Sequence, residues 1–263
     1  MASDFSPHLV GEKDQKFGKY TLKECLGNGG EAEVWKAIDT ATQETVAIRI
    51  LRKLKDTEDI QRHFEAEVQK LQLLARHDHI IALWDSGWEH GLPYLVMPYI
   101  PDGSLARWLE DFNSKDQRIP FSEALIYIKQ TIDALVYVHA HNIIHRDVKP
   151  SNLLRGEHGI LLNDWGIALN AEAPDPLTRA NIGSPPYRPP EQEQGHPVPA
   201  SDQYAMAVTS CELITGKRPK SGGHDILQTL HPQIAKVLSR AWDPDPTKRF
   251  HSMQDFSGAL NNA

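Results

Sequence analysis

Residues 145–152 read His-Arg-Asp-Val-Lys-Pro-Ser-Asn, and Asn163-Asp164-Trp165-Gly166 follows shortly after. No other run constrains the chain as tightly. It gathers two acids, a lysine and an asparagine into a stretch that has little use for them as core. Asp147 is suited to accept a proton, and Lys149 to neutralise negative charge as it develops. Asn152 and Asp164 are hard oxygen donors of the kind a divalent cation takes.

Further features come in order along the chain. A glycine-rich turn stands at Gly27-Asn28-Gly29, Val46-Ala47-Ile48-Arg49 reads as part of a strand, and Glu67 lies on a helical pattern. Pro189-Pro190-Glu191 closes the segment that opens at Asp164, and Arg249 comes late. A lone glycine-rich turn is weak evidence, but the ordered set from Tyr20 to Leu260 is not. The set resembles the catalytic domain of protein kinases, specifically the Hanks-type (eukaryotic-like) Ser/Thr kinases of bacteria. That resemblance implies an α+β, bilobal fold. A polar leader is expected over 1–18. A small antiparallel sheet with one main helix would occupy 19–98, and a mainly helical lobe 99–260.

The resemblance also implies roles. ATP and Mg2+ would be the cofactors, and protein Ser or Thr hydroxyls the acceptors, with self-association as a route to autophosphorylation. Asp147 would act as base or positioning group, with Lys149 beside it and Asn152 and Asp164 as metal ligands. The turn Leu26, Gly27, Asn28, Gly29 and Gly30 would cover the phosphates. Val34, Ala47 and Leu154 would bound the nucleotide, and Met97 would stand as gatekeeper. The carbonyl of Pro98 and the N–H of Ile100 would grip adenine. Lys149 argues for Ser/Thr acceptors, because tyrosine kinases usually lack a lysine there, and Ser184 fits the same class. Arg146 precedes the catalytic aspartate, and Thr178 is the only hydroxyl side chain between Asp164 and Ile182. A phosphate on Thr178 would pair with Arg146 and order the segment.

One departure matters. Arg49 stands where the family places lysine, with Glu67 as its helical partner. Arginine keeps the charge but replaces a compact ammonium by a planar fork, which can hold Glu67 and still miss the phosphate geometry. The expectation is a Ser/Thr kinase impaired by this residue. The alternative is a natural pseudokinase acting as a nucleotide-binding scaffold. A small-molecule phosphotransferase of the aminoglycoside-kinase type shares the Asp and Asn logic. Lys149 and the Asp164-to-Glu191 segment argue against it.

Composition excludes other classes. With 28 basic and 35 acidic residues the formal charge is 28 − 35 = −7, which gives no general attraction to nucleic acid or anionic membrane. Cys25 and Cys211 are far apart and fit no metal spacing, so two buried thiols in a reducing cytoplasm are expected. His139, His141 and His145 have ligand-like spacing, but no acid or cysteine completes a closed site. No stretch is long and uncharged enough to span a bilayer. An anchor or sensor domain, as bacterial relatives carry, would lie beyond Ala263.

Periodicity places the motifs. Thr45–Ile50 alternates, with Val46, Ile48 and Ile50 on one face and Ala47 and Arg49 on the other. Phe64, Val68, Leu71 and Leu74 recur at helical spacing, and Glu67 falls on or beside that inward face. An inward acid asks for a cation, and Arg49 is the candidate. Leu125, Ile128, Ile132 and Leu135 form a second apolar stripe. Tyr204 to Ile214 is apolar almost all round and predicts an interior helix. Asp202 stands just before it, where the kinase resemblance implies a cap for the helix and a brace for the catalytic loop.

Overall fold

The computed structural model describes residues 11–29, 32–52, 57–165, 169–170, 183–219 and 224–263. The chain divides into two compact units. The first holds residues up to Arg76 together with Ile81–Pro101, and the second holds His77–Ile80 together with Asp102–Ala263.

The first unit is an antiparallel sheet with one long helix. Strands β1 (Lys16–Phe17), β2 (Tyr20–Asn28), β3 (Ala32–Asp39), β4 (Thr45–Leu51), β5 (Asp85–Glu89) and β6 (Leu92–Pro98) lie in the order β1-β2-β3-β4-β6-β5. Alternation along β3 and β4 decides the faces. Trp35, Ala37, Val46, Ile48 and Ile50 are buried in a core with Phe17, Tyr20, Leu22 and Val96. Val34, Ala47 and Arg49 take the opposite, half-buried face. Helix α1 (Thr57–Leu74) buries Phe64, Glu67, Leu71 and Leu74.

Residues 11–18 correct one expectation. They are not a loose leader. Phe17 is buried in the sheet core, Lys16 and Phe17 pair with Thr21 and Tyr20, and Asp14 and Gln15 bond to the backbone of Leu22. Residues 1–10 lie outside the described residues.

The second unit is mainly helical: α2 (Leu105–Asn113), α3 (Phe121–Ala140), the short α4 (Pro190–Glu193), α5 (Pro199–Thr215), α6 (Pro232–Ala241) and α7 (Met253–Asn261). Helix α3 packs on α5 and α7. Its buried face runs through Ala124, Ile128, Thr131, Ile132 and Leu135, which leaves Leu125 at the edge. Helix α5 is buried nearly all round, including its hydroxyls. Ser210 and Thr215 return theirs to the carbonyls of Met206 and Cys211, which keeps both hydroxyls bonded. Helix α5 begins at Pro199, so Asp202 is inside its first turn and not ahead of it.

Between α3 and α4 lie two small hairpin-like pairs. Strands β8 (Leu153–Gly156) and β9 (Gly159–Leu162) pair antiparallel, and β7 (Ile143–Ile144) pairs with β10 (Leu169–Asn170). Cys211 is buried, and burial pushes its thiol pKa up to about 12. Cys25 is only half-buried, so the expectation of two buried thiols holds for one of them. Among the described residues no helix is long and apolar enough to cross a membrane.

Candidate active site

The loop after β7 is fixed from below by one carboxylate. Asp202 is fully buried and accepts from the backbone N–H of His145 at 2.9 Å and of Arg146 at 2.8 Å. Its Oδ2 also meets His139 Nε2 at 2.8 Å. Burial pushes the Asp202 carboxyl up, but His139, His145 and the Arg146 N–H outweigh it and hold the group below its ordinary value. These bonds stabilise a backbone that would otherwise be strained, since Arg146 sits at φ 72°. Gln192 Nε2 donates to the Arg146 carbonyl at 2.8 Å.

Asp147 follows in that fixed loop and is 8% exposed. Lys149 Nζ donates to its Oδ2 at 2.6 Å and to the Ser184 hydroxyl at 2.5 Å. The Ser184 N–H donates to Oδ1 at 3.0 Å. Burial raises the Asp147 carboxyl, yet Lys149, His145 and the Ser184 N–H together leave it below its usual value. The group is therefore an ionised acceptor at neutral pH. Gly183 makes the close approach of Ser184 feasible. It sits at φ 92°, and a Cβ there would lie 2.7 Å from Gln192 Nε2 and 3.0 Å from the Arg146 carbonyl oxygen.

Asn152 adjoins the same carboxylate. Its Nδ2 donates to the Asp147 backbone oxygen at 2.8 Å and to Oδ2 at 3.0 Å. Both bonds use the amide nitrogen, so the amide oxygen is the atom available to a cation. Register brings Asp164 to the same place. Leu153 pairs with Leu162, and the Asn163 N–H donates to the Asn152 carbonyl at 2.9 Å, which sets Asp164 next in line. Asp164 also adopts a positive φ, 68°. His145 Nε2 meets the Asn163 carbonyl at 3.1 Å, and the His145 ring stands edge-on to buried Trp165 at 4.7 Å. Asn152 and Asp164 are thus hard oxygen donors on adjoining backbone, which fits a divalent cation.

The first unit carries the other expected residues. Arg49 Nη1 lies 2.6 Å from Glu67 Oε1, with both side chains largely buried. Across the sheet Arg49 pairs with Val34 and Leu95, and Ala47 pairs with Met97. Val34, Ala47, Arg49 and Met97 therefore line one face, with Met97 buried and Pro98 and Ile100 half-buried beyond it. Leu26 is exposed, Gly27 pairs with Val34, and the Gly29 N–H closes the turn on the Ala32 carbonyl at 3.0 Å. Gly30 and Thr178 lie outside the described residues, and Leu154 pairs with Leu161 in the second unit.

Some partners were not singled out in the sequence. Gln192 directly follows Pro189-Pro190-Glu191, yet nothing in that run points to its side chain, and the spacing of His139 with His141 and His145 does not give its partner. Among the described residues no group of three potential metal-binding His, Cys, Asp or Glu side chains forms. His139, His141 and His145 instead bond to Asp202, to the Tyr137 carbonyl and to the Asn163 carbonyl. Glu191 and Arg249 form a bidentate pair at 2.6 and 2.9 Å, with Arg249 also donating to the carbonyls of Ala200 and Asp243.

The sheet unit, the helical unit and this loop define a protein kinase fold. A model of the protein kinase domain matches residues 20–260. The chain belongs to the protein kinase family, among its bacterial Hanks-type Ser/Thr members. It is 35% identical over 268 residues to the serine/threonine-protein kinase PknA of Mycobacterium tuberculosis, covering 92% of this chain and 61% of that protein. It is 31% identical over 278 residues to PrkC of Bacillus subtilis, covering 97% of this chain and 42% of that protein. The PknI kinase domain of M. tuberculosis superposes with a TM-score of 0.74 at 26% identity, covering 96% of this chain and 99% of that one. The chain thus spans about half the length of curated relatives such as these.

Proposed function

We propose that this chain transfers the γ-phosphate of Mg-ATP to Ser and Thr hydroxyls of proteins, at a rate held down by Arg49. The observation that carries the reading is the ammonium of Lys149 bonded at once to the Asp147 carboxylate and the Ser184 hydroxyl. That arrangement holds an ionised acceptor beside a cation where a hydroxyl group is accommodated. Asp147 accepts a hydrogen bond from the substrate hydroxyl and orients its oxygen at the γ-phosphorus. It takes the proton as the new P–O bond forms and ADP leaves with the electrons of the broken one. A carboxyl held below its usual value is a weak base, so the proton moves late and orientation is the larger contribution. Lys149 neutralises charge on the phosphoryl group in transit. Asn152 and Asp164 would hold the divalent cation, which supplies neutralisation of the phosphate charge.

Arg49 limits the rate in this reading. Its Nη1 is engaged by Glu67, and the planar fork does not place charge on the α and β phosphates as an ammonium does. The same pairing favours the second reading, a nucleotide-binding scaffold, because it keeps the charge while spoiling the geometry. Thr178, with Arg146 as the partner of its phosphate, is the proposed regulatory acceptor. If Thr178→Ala were fully active and mass spectrometry found phosphate only elsewhere, that part would fall. The central test is γ-labelled ATP with a casein-like protein and, separately, with small amino alcohols. Acid-stable label on serine and threonine of the protein is expected. Label on the amino alcohols alone, or on tyrosine alone, would overturn the assignment.

A further inference from the structure

At the end of the first unit's sheet that carries the glycine turn, one carboxylate is removed from water altogether. Glu33 is 0% exposed. An ionised side chain tolerates that only when donors replace its hydration. Among the described residues, donors reach it from Gly11, from its own strand and from just beyond β4. The Trp35 indole N–H reaches Oε2 at 2.9 Å, the Gly11 backbone N–H reaches the same oxygen at 3.2 Å, and Arg52 Nη2 reaches Oε1 at 3.1 Å. Gly11 can come this close because it lacks a Cβ, which would lie 2.6 Å from Leu22 Cδ1.

Arg52 does more than neutralise Glu33. The same Nη2 donates to Asn28 Oδ1. Asn28 and Glu33 are cross-strand partners in the β2–β3 hairpin, one on each stem of the glycine turn. A single guanidinium nitrogen, only partly exposed, therefore bridges the two stems from just beyond the end of β4. A glycine-rich turn loses much backbone freedom when it closes on a ligand, and fixing its stems in advance lowers that cost.

We propose that Arg52, held in place by buried Glu33, is a positioning residue that fixes the glycine turn for the phosphates of the bound nucleotide. The inference rests on the nucleotide reading given above. It acts through Asn28, so it concerns the phosphate end of the ligand and leaves the base end untouched.

Calorimetric titration of the whole chain with Mg-ATP and, separately, with adenosine tests it. The proteins are the unaltered chain, Arg52→Met, Asn28→Ala and the double variant, each shown to be folded by circular dichroism. Arg52→Met should bind Mg-ATP about tenfold more weakly, the scale of one lost charge-assisted hydrogen bond, and bind adenosine as before. The double variant should be no weaker than Arg52→Met alone, because both changes cut one bridge. Unchanged Mg-ATP affinity in Arg52→Met, an equal loss for adenosine, or additive losses in the double variant would each overturn the proposal. Failure of the unaltered chain to bind Mg-ATP would instead sink the nucleotide reading itself, so the two failures are separable.

Discussion

The two units hold their functional charges in different ways. In the second, Asp147 is met by Lys149, Asn152 and the Ser184 N–H, and the loop beneath it is pinned by Asp202 and Gln192. In the first, the ion pair between Arg49 and Glu67 joins a strand to a helix across 2.6 Å. A charge held by several partners keeps its geometry when one is altered. A change in the charged side chain itself, as at position 49, alters its shape and reach whatever else holds it. The second unit is built to tolerate little error at Asp147. The first has accepted a different cation at position 49 without losing the pair.

The largest effect should come from the second unit. Asp147→Asn keeps the shape but removes the proton acceptor and the anion that faces Lys149. Phosphotransfer is expected to fall by about 10²- to 10⁴-fold, the range for loss of a general base. Initial rates with labelled ATP measure it. A variant within a few-fold of the unaltered chain would show that Asp147 does not do this work.

Stability offers the next contrast. Arg249 is fully buried and donates to both oxygens of Glu191. Arg249→Met would leave Glu191 with the Ser201 hydroxyl but without its cation. Breaking one side of a buried pair costs about 3–5 kcal/mol, and the urea midpoint should drop accordingly. A loss under about 1 kcal/mol would place the pair with surface ion pairs of little worth.

Position 49 sharpens the comparison from the other side. Arg49→Lys should raise phosphotransfer by about 10²- to 10³-fold, the scale of one preorganised transition-state contact regained. Glu67→Gln in that background should undo most of the gain, since the ammonium then loses its anchor. An active chain with Arg49 in place, unchanged by Arg49→Lys, would end the impaired-enzyme reading.

Legibility in the sequence followed the same division. Alternation in Thr45–Ile50 was enough to place Arg49 and Ala47 on one face, because a half-buried strand has a period of two. The inward turn of Glu67 was legible from Phe64 and Leu71 around it. Less legible was the start of α5, since Ser201, Asp202 and Gln203 are buried polar residues that hydrophobic periodicity does not count. Phe17 was missed for the opposite reason, a single apolar residue in a polar run, joined to the core by a two-residue strand. Asp147, Lys149, Asn152 and Ser184 come together in the structure. Their supports Gln192 and His139 stand in or beside readable features, but their partners are set by tertiary packing that no local pattern shows.

The smallest expected effect probes ligand binding without turnover, and so treats both readings of Arg49 alike. A ligand that binds only the folded state stabilises it by about 2.7 kcal/mol at 100 times its Kd, which a melting curve of the whole chain can register. Mg-ATP should raise the melting temperature, and ATP with a chelator should raise it less. Asp164→Ala should remove most of the difference between the two, because an oxygen donor that the β8–β9 register sets beside Asn152 is then gone. Arg49→Lys should alter the shift little, since the charge at that position is unchanged in sign. If Asp164→Ala kept the full magnesium-dependent part, Asp164 would not be a ligand. If Mg-ATP at millimolar concentration left the curve where it was, neither an impaired kinase nor a nucleotide-binding scaffold would describe this chain.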